Sequence, residues 1–230
     1  MRISTVFLAA VVSSLAIHFA DPHFSFAQTC ARPWVFFDVG NTLIVTKPDP
    51  SRPDHLKDIH YIPGALRYLR ILKRDFYPLG VISNLPEGWG DEGPYKNVQD
   101  KRTRQLLQTQ LSFSQDWQAG TPEFDWTYFG KMTGSGNGRT YFGNVYFPNL
   151  TGERKPAVCA TCVFNRALAT AQDAGCPALY VGESEDEMRA AEKAGFIPFL
   201  LTLDHGEGVF LPPGYIETYI KNYQPGGWKP

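Results

Sequence analysis

Residues 34–43 read Trp-Val-Phe-Phe-Asp-Val-Gly-Asn-Thr-Leu, and this stretch constrains the chain most. Four apolar or aromatic residues deliver one carboxylate, Asp38, into a turn carrying Gly40, Asn41 and Thr42. A run this apolar predicts a strand buried on both faces, the mark of a parallel sheet covered by helices on each side. Open sheets of that kind place their ligands beyond the carboxyl ends of the strands. An acid at the end of a fully buried strand is expensive unless paired or metal-bound, so Asp38 marks a site. Two residues on, where a second acid would be useful, stands Gly40.

The same reasoning extends along the chain. Tyr77–Ser83, Phe124–Phe129, Ala178–Val181 and Phe196–Leu203 read as further strands. Helices are expected over Ile62–Arg74, over Gln99–Leu111, from Pro156 to Gly175, and over Ser184–Ala194 with Gly195 closing the last. Lys47–Asp58 reads as a polar, proline-rich loop, and residues 131–154, rich in Gly, Asn, Thr and aromatics, as a hairpin or flap. Alternating strands and helices imply a three-layer, Rossmann-like α/β domain with a five-stranded parallel sheet and a small β-flap insertion. No internal repeat and no second domain are evident.

Residues 1–27 resemble a secretory signal, with one basic residue, an apolar core too short to span a bilayer, and Ser25-Phe26-Ala27 before the cut. Cleavage after Ala27 leaves residues 28–230 as one domain, secreted or periplasmic, with no stable membrane anchor. A net charge of −1, from 22 basic and 23 acidic residues, argues against a nucleic-acid surface. Four cysteines in an exported chain allow three disulfide pairings. Cys30 and Cys176 each precede a strand, and if those strands are neighbours the two meet at the end of the sheet away from the site. Cys159 and Cys162 fit a redox motif at a helix start, a local disulfide, or buried small side chains. No second Cys or His pair has zinc-ligand spacing.

Four points now carry polar residues in order: Asp38; Ser83 and Asn84; Lys155 at an expected helix amino end; and Glu183 with Glu187. Magnesium takes oxygen ligands, a lysine and a helix end neutralise phosphate, and an aspartate can act as nucleophile through an aspartyl-phosphate. The set suits Mg²⁺ with a phosphoryl group. For Glu187 an alternative is a capping box with Ser184.

These motifs resemble the haloacid dehalogenase superfamily of phosphatases and related hydrolases. Its four motifs are Asp-x-Asp-x-Thr after a buried strand, a strand ending in Ser or Thr, a Lys, and a strand ending Gly-Asp-x-x-x-Asp. They match Asp38-Val39-Gly40-Asn41-Thr42, Ser83-Asn84, Lys155-Pro156 and Gly182-Glu183-Ser184-Glu185-Asp186-Glu187. The match spans about residues 34–203. The resemblance implies that Asp38, Ser83 and Lys155 are catalytic, and that Asn41, Thr42, Ser83, Asn84 and Lys155 hold the phosphoryl group. It implies that Asp38, the carbonyl of Gly40, Glu183 and Glu187 hold Mg²⁺. The expected partner is a small phosphoester or similar anion. Gly40 replaces the acid that protonates the leaving group, a step worth roughly 10²–10⁴ in rate. That departure leaves two alternatives: a binding protein that keeps the fold without turnover, or a dehalogenase-like hydrolase in which Asp38 attacks carbon. The segment between Asp38 and Ser83 is too short for a large helical cap, so the site should be open. Tyr141, Phe142, Tyr146 and Phe147 would contact a substrate or form the flap's own core.

Overall fold

Strand β1, Trp34–Phe37, sits at the centre of a five-stranded parallel sheet. Around it lie β4 (Leu79–Ile82) and β7 (Val145–Tyr146) on one side, and β8 (Ala178–Gly182) and β9 (Ile197–Leu200) on the other. The computed structural model describes residues 30–52, 55–133, 140–203 and 208–224, with residues 132–133 and 140–142 as backbone alone. The expected signal segment and its cleavage point after Ala27 lie outside the described residues.

Period-two alternation splits the sheet's side chains between two apolar layers. Val35 and Phe37 of β1, with Leu179 and Val181 of β8, face one core. Phe36, Ala178 and Tyr180 face the other. The first layer is covered by α1 (Ala65–Arg74) and α5 (Tyr215–Asn222), through Tyr68, Leu69, Leu72 and Ile216. The second is covered by α3 (Val163–Asp173) and α4 (Glu185–Ala194), through Phe164, Ala167, Met188 and Ala191. Helix α2 (Lys101–Asp116) joins the first layer through Leu106 and Phe113. The expected three-layer α/β architecture is what the chain forms.

Its strand membership differs from the expectation. Phe124–Phe129 is not a strand, because Trp126–Phe129 forms a 3₁₀ turn whose start is capped by Asp125, which accepts from the Thr127 amide at 3.0 Å. Phe124, Trp126 and Phe129 are buried in one aromatic cluster while Asp125 and Thr127 face outward, so the alternation of a strand is produced here by a capped turn. The fifth strand is β7, from the segment expected to be wholly flap, and it pairs with β4 in parallel. The flap reduces to a hairpin of β5 (Gly130–Thr133) and β6 (Thr140–Gly143). Lys47–Asp58 is not a plain loop: β2 (Ile44–Pro48) and β3 (Leu56–Tyr61) pair antiparallel across it, with a register shift between Val45 and Lys47. Helix α3 begins at Val163, not Pro156, because residues 159–162 are closed by a Cys159–Cys162 disulfide before the helix can start. Cys30 pairs with Cys176, as the neighbouring strands β1 and β8 require. Pro198 is tolerated in β9 because that strand lies at the sheet's edge. Among the described residues no helix is long and apolar enough to cross a membrane.

Candidate active site

From β1 the chain runs through β4 and β7 to one side, then returns to β8 on the other side of β1. This reversal between β1 and β8 opens a crevice at the carboxyl ends of the strands. Asp38, 7% exposed, leaves β1 there with its amide bonded to the Val181 carbonyl of β8 at 2.9 Å. The chain then winds into a tight turn in which the Val39 carbonyl accepts from the amides of Leu43 and Ile44 at 2.9 and 3.1 Å. Asn41 stands in the left-handed region at φ 55°, which asparagine tolerates better than most residues. The turn buries Thr42 completely and aims its hydroxyl at Glu183, donating to Oε2 at 3.1 Å. The ends of β1 and β8 are thereby joined.

From β4 come Ser83, buried, and Asn84. Asn84 works through its amide on the backbone of Lys155: Nδ2 donates to the Lys155 carbonyl and the Lys155 amide donates to Oδ1, both at 3.0 Å. This two-way clamp fixes the Lys155 backbone, and the helix expected to start beside it, α3, begins only at Val163. The lysine side chain is 1% exposed. Its ammonium donates to Asp38 Oδ1, Glu187 Oε2 and the Tyr180 hydroxyl, each at 2.8 Å. An ammonium has three donors, and all three are used. The Tyr180 hydroxyl in turn donates to Glu187 Oε2 at 2.7 Å.

Burial alone would drive the Lys155 ammonium down in pKa, but the charges of Asp38 and Glu187 in contact with it outweigh that and hold it above its ordinary value. Burial, then the charges of Asp38 and Glu187, pushes the Tyr180 phenol well above its ordinary value, so it stays a neutral donor. Desolvation at the cavity, followed by the negative charge of Asp38, pushes the Glu183 carboxyl up to about 7. Glu187 does take part in the start of α4, its amide lying 3.4 Å from the Ser184 hydroxyl. Its carboxylate, however, turns to Lys155 and Tyr180 instead of closing a capping box.

Asp38, Gly40, Asn41, Ser83, Asn84, Lys155, Glu183 and Glu187 all line one cavity of about 260 Å³. Thr42 lies behind it. Tyr180 was legible only as a strand residue, although a tyrosine in a wholly buried strand needs a partner for its hydroxyl, and that signal points to a polar site. Trp89, Phe113 and Trp126, which also line the cavity, carry no comparable signal in the sequence. Of the flap aromatics, Phe147 lines the cavity, whereas Tyr146 packs in the core against Phe36 and is bonded to Thr170.

The polar residues singled out in the sequence, Asp38, Ser83, Lys155 and Glu183, thus come together around one cavity. No protein-family model matches the chain, and no curated protein does. Among solved structures, similar folds include D,D-heptose 1,7-bisphosphate phosphatase from B. bronchiseptica, complexed with magnesium and phosphate, at 15% identity over 73% of this chain and 79% of that one, with a TM-score of 0.38. The corresponding phosphatase from Burkholderia thailandensis matches at 16% identity over 76% and 82%, with a TM-score of 0.33.

Proposed function

We propose that this chain is an exported, Mg²⁺-dependent phosphatase acting through an aspartyl-phosphate on Asp38. The observation that carries the reading is the fully buried Lys155 ammonium, 2.8 Å from Asp38 Oδ1 in a cavity that also holds Ser83. A nucleophilic carboxylate beside a fixed cation and a hydroxyl is what phosphoryl transfer needs, since catalysis there rests on positioning and charge stabilisation.

Hard oxygen donors at one end of the cavity suit Mg²⁺: Asp38, the backbone of Gly40, and Glu183, with Glu187 behind. Among the described residues no three acidic, histidine or cysteine side chains are grouped to hold a metal. Magnesium tolerates this, because it keeps several waters and uses one or two carboxylates plus substrate oxygens. The raised Glu183 carboxyl supports the fit, because a cation relieves the repulsion between it and Asp38. When bound, the ion would neutralise charge on the phosphoryl oxygens.

Asp38 attacks phosphorus through its second oxygen while Lys155 holds Oδ1. The bond from phosphorus to the leaving oxygen breaks, and the electron pair departs on that oxygen. Ser83 donates to a phosphoryl oxygen, and the Lys155 charge lies beside the phosphoryl group while its three donors stay on Asp38, Glu187 and Tyr180. Water then attacks phosphorus, the bond to Asp38 breaks, and carboxylate and phosphate are regenerated. Two disulfides support an oxidising compartment and hence export.

Gly40 favours a second reading, a binder of phosphate-like anions without turnover. The test is hydrolysis of generic phosphoesters by the purified chain with Mg²⁺, against Asp38→Asn. Turnover lost in that variant and in chelator supports the phosphatase. Phosphate binding with no turnover supports the binder. Activity indifferent to chelator sinks the Mg²⁺ claim and favours attack on carbon.

A further inference from the structure

The cavity that holds Asp38 is lined by two unlike sets of side chains. Beyond the polar residues, its walls are Ile44, Leu56, Trp89, Phe113, Trp126 and Phe147. Two polar groups beside that wall are already satisfied: the Trp89 indole donates to Thr109 Oγ1 at 3.0 Å, and that hydroxyl donates to the Gln105 carbonyl at 2.8 Å. Apart from the Thr46 hydroxyl, a sugar placed here would bury its hydroxyls against carbon, a cost of about 1–3 kcal/mol for each unmet group. A flat apolar ring would instead find edge and face contacts with aromatic neighbours. A volume of about 260 Å³ admits a small body of this kind.

Position 40 supplies the second constraint. A side chain there would have room, since a Cβ built on Gly40 would meet only Thr46 Cγ2, at 3.6 Å. The backbone of Gly40 is not left-handed either, so other residues could adopt it. The missing acid is therefore not forced out by crowding. What stands nearby is the Thr46 hydroxyl, buried and without a hydrogen-bond partner among the described residues. An alcohol can donate a hydrogen bond to a leaving oxygen but surrenders no proton near neutral pH. The other acids lining the cavity are engaged, Glu187 by Lys155 and Tyr180, and Glu183 by Thr42.

Resting on the phosphatase reading above, we infer that the substrates are small aryl phosphomonoesters, whose leaving oxygen departs as a stabilised phenolate. Asp38 forms its bond to phosphorus as the phosphorus–phenolate bond breaks. The electron pair leaves on the phenolate, which takes its proton from solvent and not from the protein. The apolar wall holds the ring, and the absent acid is not needed.

The experiment measures kcat/KM of the full chain with Mg²⁺ on substituted phenyl phosphates of graded leaving-group acidity, an alkyl phosphate and a hexose phosphate. The expected result is a preference for aryl over alkyl and sugar esters of about 10²–10⁴, with rates falling steeply as the phenol becomes less acidic. Gly40→Asp should flatten that dependence and raise the alkyl rate. Leu56→Ala, on the half-buried rim strand, should raise KM for the aryl esters more than it lowers kcat. Equal rates on the hexose phosphate, or a flat leaving-group dependence in the unaltered chain, would overturn the aryl inference while leaving the phosphatase standing. No turnover above Asp38→Asn on any ester would instead remove the phosphatase reading itself.

Discussion

Lys155 is the residue on which the site's electrostatics turn. It is buried, and it pairs with two carboxylates at once. Removing one partner of such a group leaves uncompensated charge in a poorly solvated place, which costs about 3–5 kcal/mol. Lys155→Met should therefore lose both turnover and stability, the latter read from urea denaturation. Unchanged stability would mean that Asp38 and Glu187 do not depend on it. Glu183 gives a pH dependence. Its folded-state carboxyl, pushed up to about 7 from an ordinary 4.5, binds a proton more tightly than in the unfolded chain. Its contribution to stability is thus complete below about 4.5 and is lost as pH rises to about 7. Because Glu183 reaches solvent, screening keeps that slope shallow. In metal-free buffer the stability of the native chain relative to Glu183→Gln should fall across this window. Added Mg²⁺ should restore the native chain more than the variant. Thermal unfolding with and without Mg²⁺ reads both effects.

At the scale of elements, the close approach of β1 and β4 rests on a glycine. Gly80 lies opposite Phe36 in the register, and a Cβ there would stand 2.4 Å from the phenyl ring. Gly80→Ala must push Phe36 out of its stack with Trp34 or spread the strands, at about 1–3 kcal/mol. A denaturation midpoint equal to that of the unaltered chain would contradict this close packing. The same elements show what a sequence can convey. Strands β1, β4 and β8 were legible because both of their faces are buried, which forces unbroken apolar runs. Asp38, Ser83 and Glu183 were legible with them, as the polar residues that end those runs. Strand β7 has two residues and leaves no pattern. The Phe124–Phe129 run alternates apolar and polar residues as a strand would, but its burial comes from an aromatic cluster and not from strand neighbours. The charged stretch that forms β2 and β3 hides its pairing because much of its surface faces water. Lys155 was legible as a cation near the site. Glu187 was legible as a site acid and Tyr180 only as a strand residue, and neither was legible as its partner, since only the folded sheet brings them to it.

Over the whole molecule, the Cys30–Cys176 disulfide joins positions 146 residues apart, at the amino ends of the two strands that carry Asp38 and Glu183. Closing so long a loop restricts the unfolded chain, and its removal should cost about 2–5 kcal/mol. The paired Cys30→Ser, Cys176→Ser variant should lower the unfolding free energy by that amount while leaving KM near its original value, because the link lies at the far end of the sheet. A large change in KM with little loss of stability would show that the bridge shapes the cavity instead. The clamp between Asn84 and Lys155 has a different kind of consequence. It spans 71 residues, and Lys155 meets its other partners only when β8 and α4 are in place. The Lys155 cluster is thus assembled from distant parts of the chain and exists in no local fragment, since contacts so far apart in sequence must wait for the sheet to close. During refolding, helical signal should return first and enzymatic competence last, so that turnover reports completed folding.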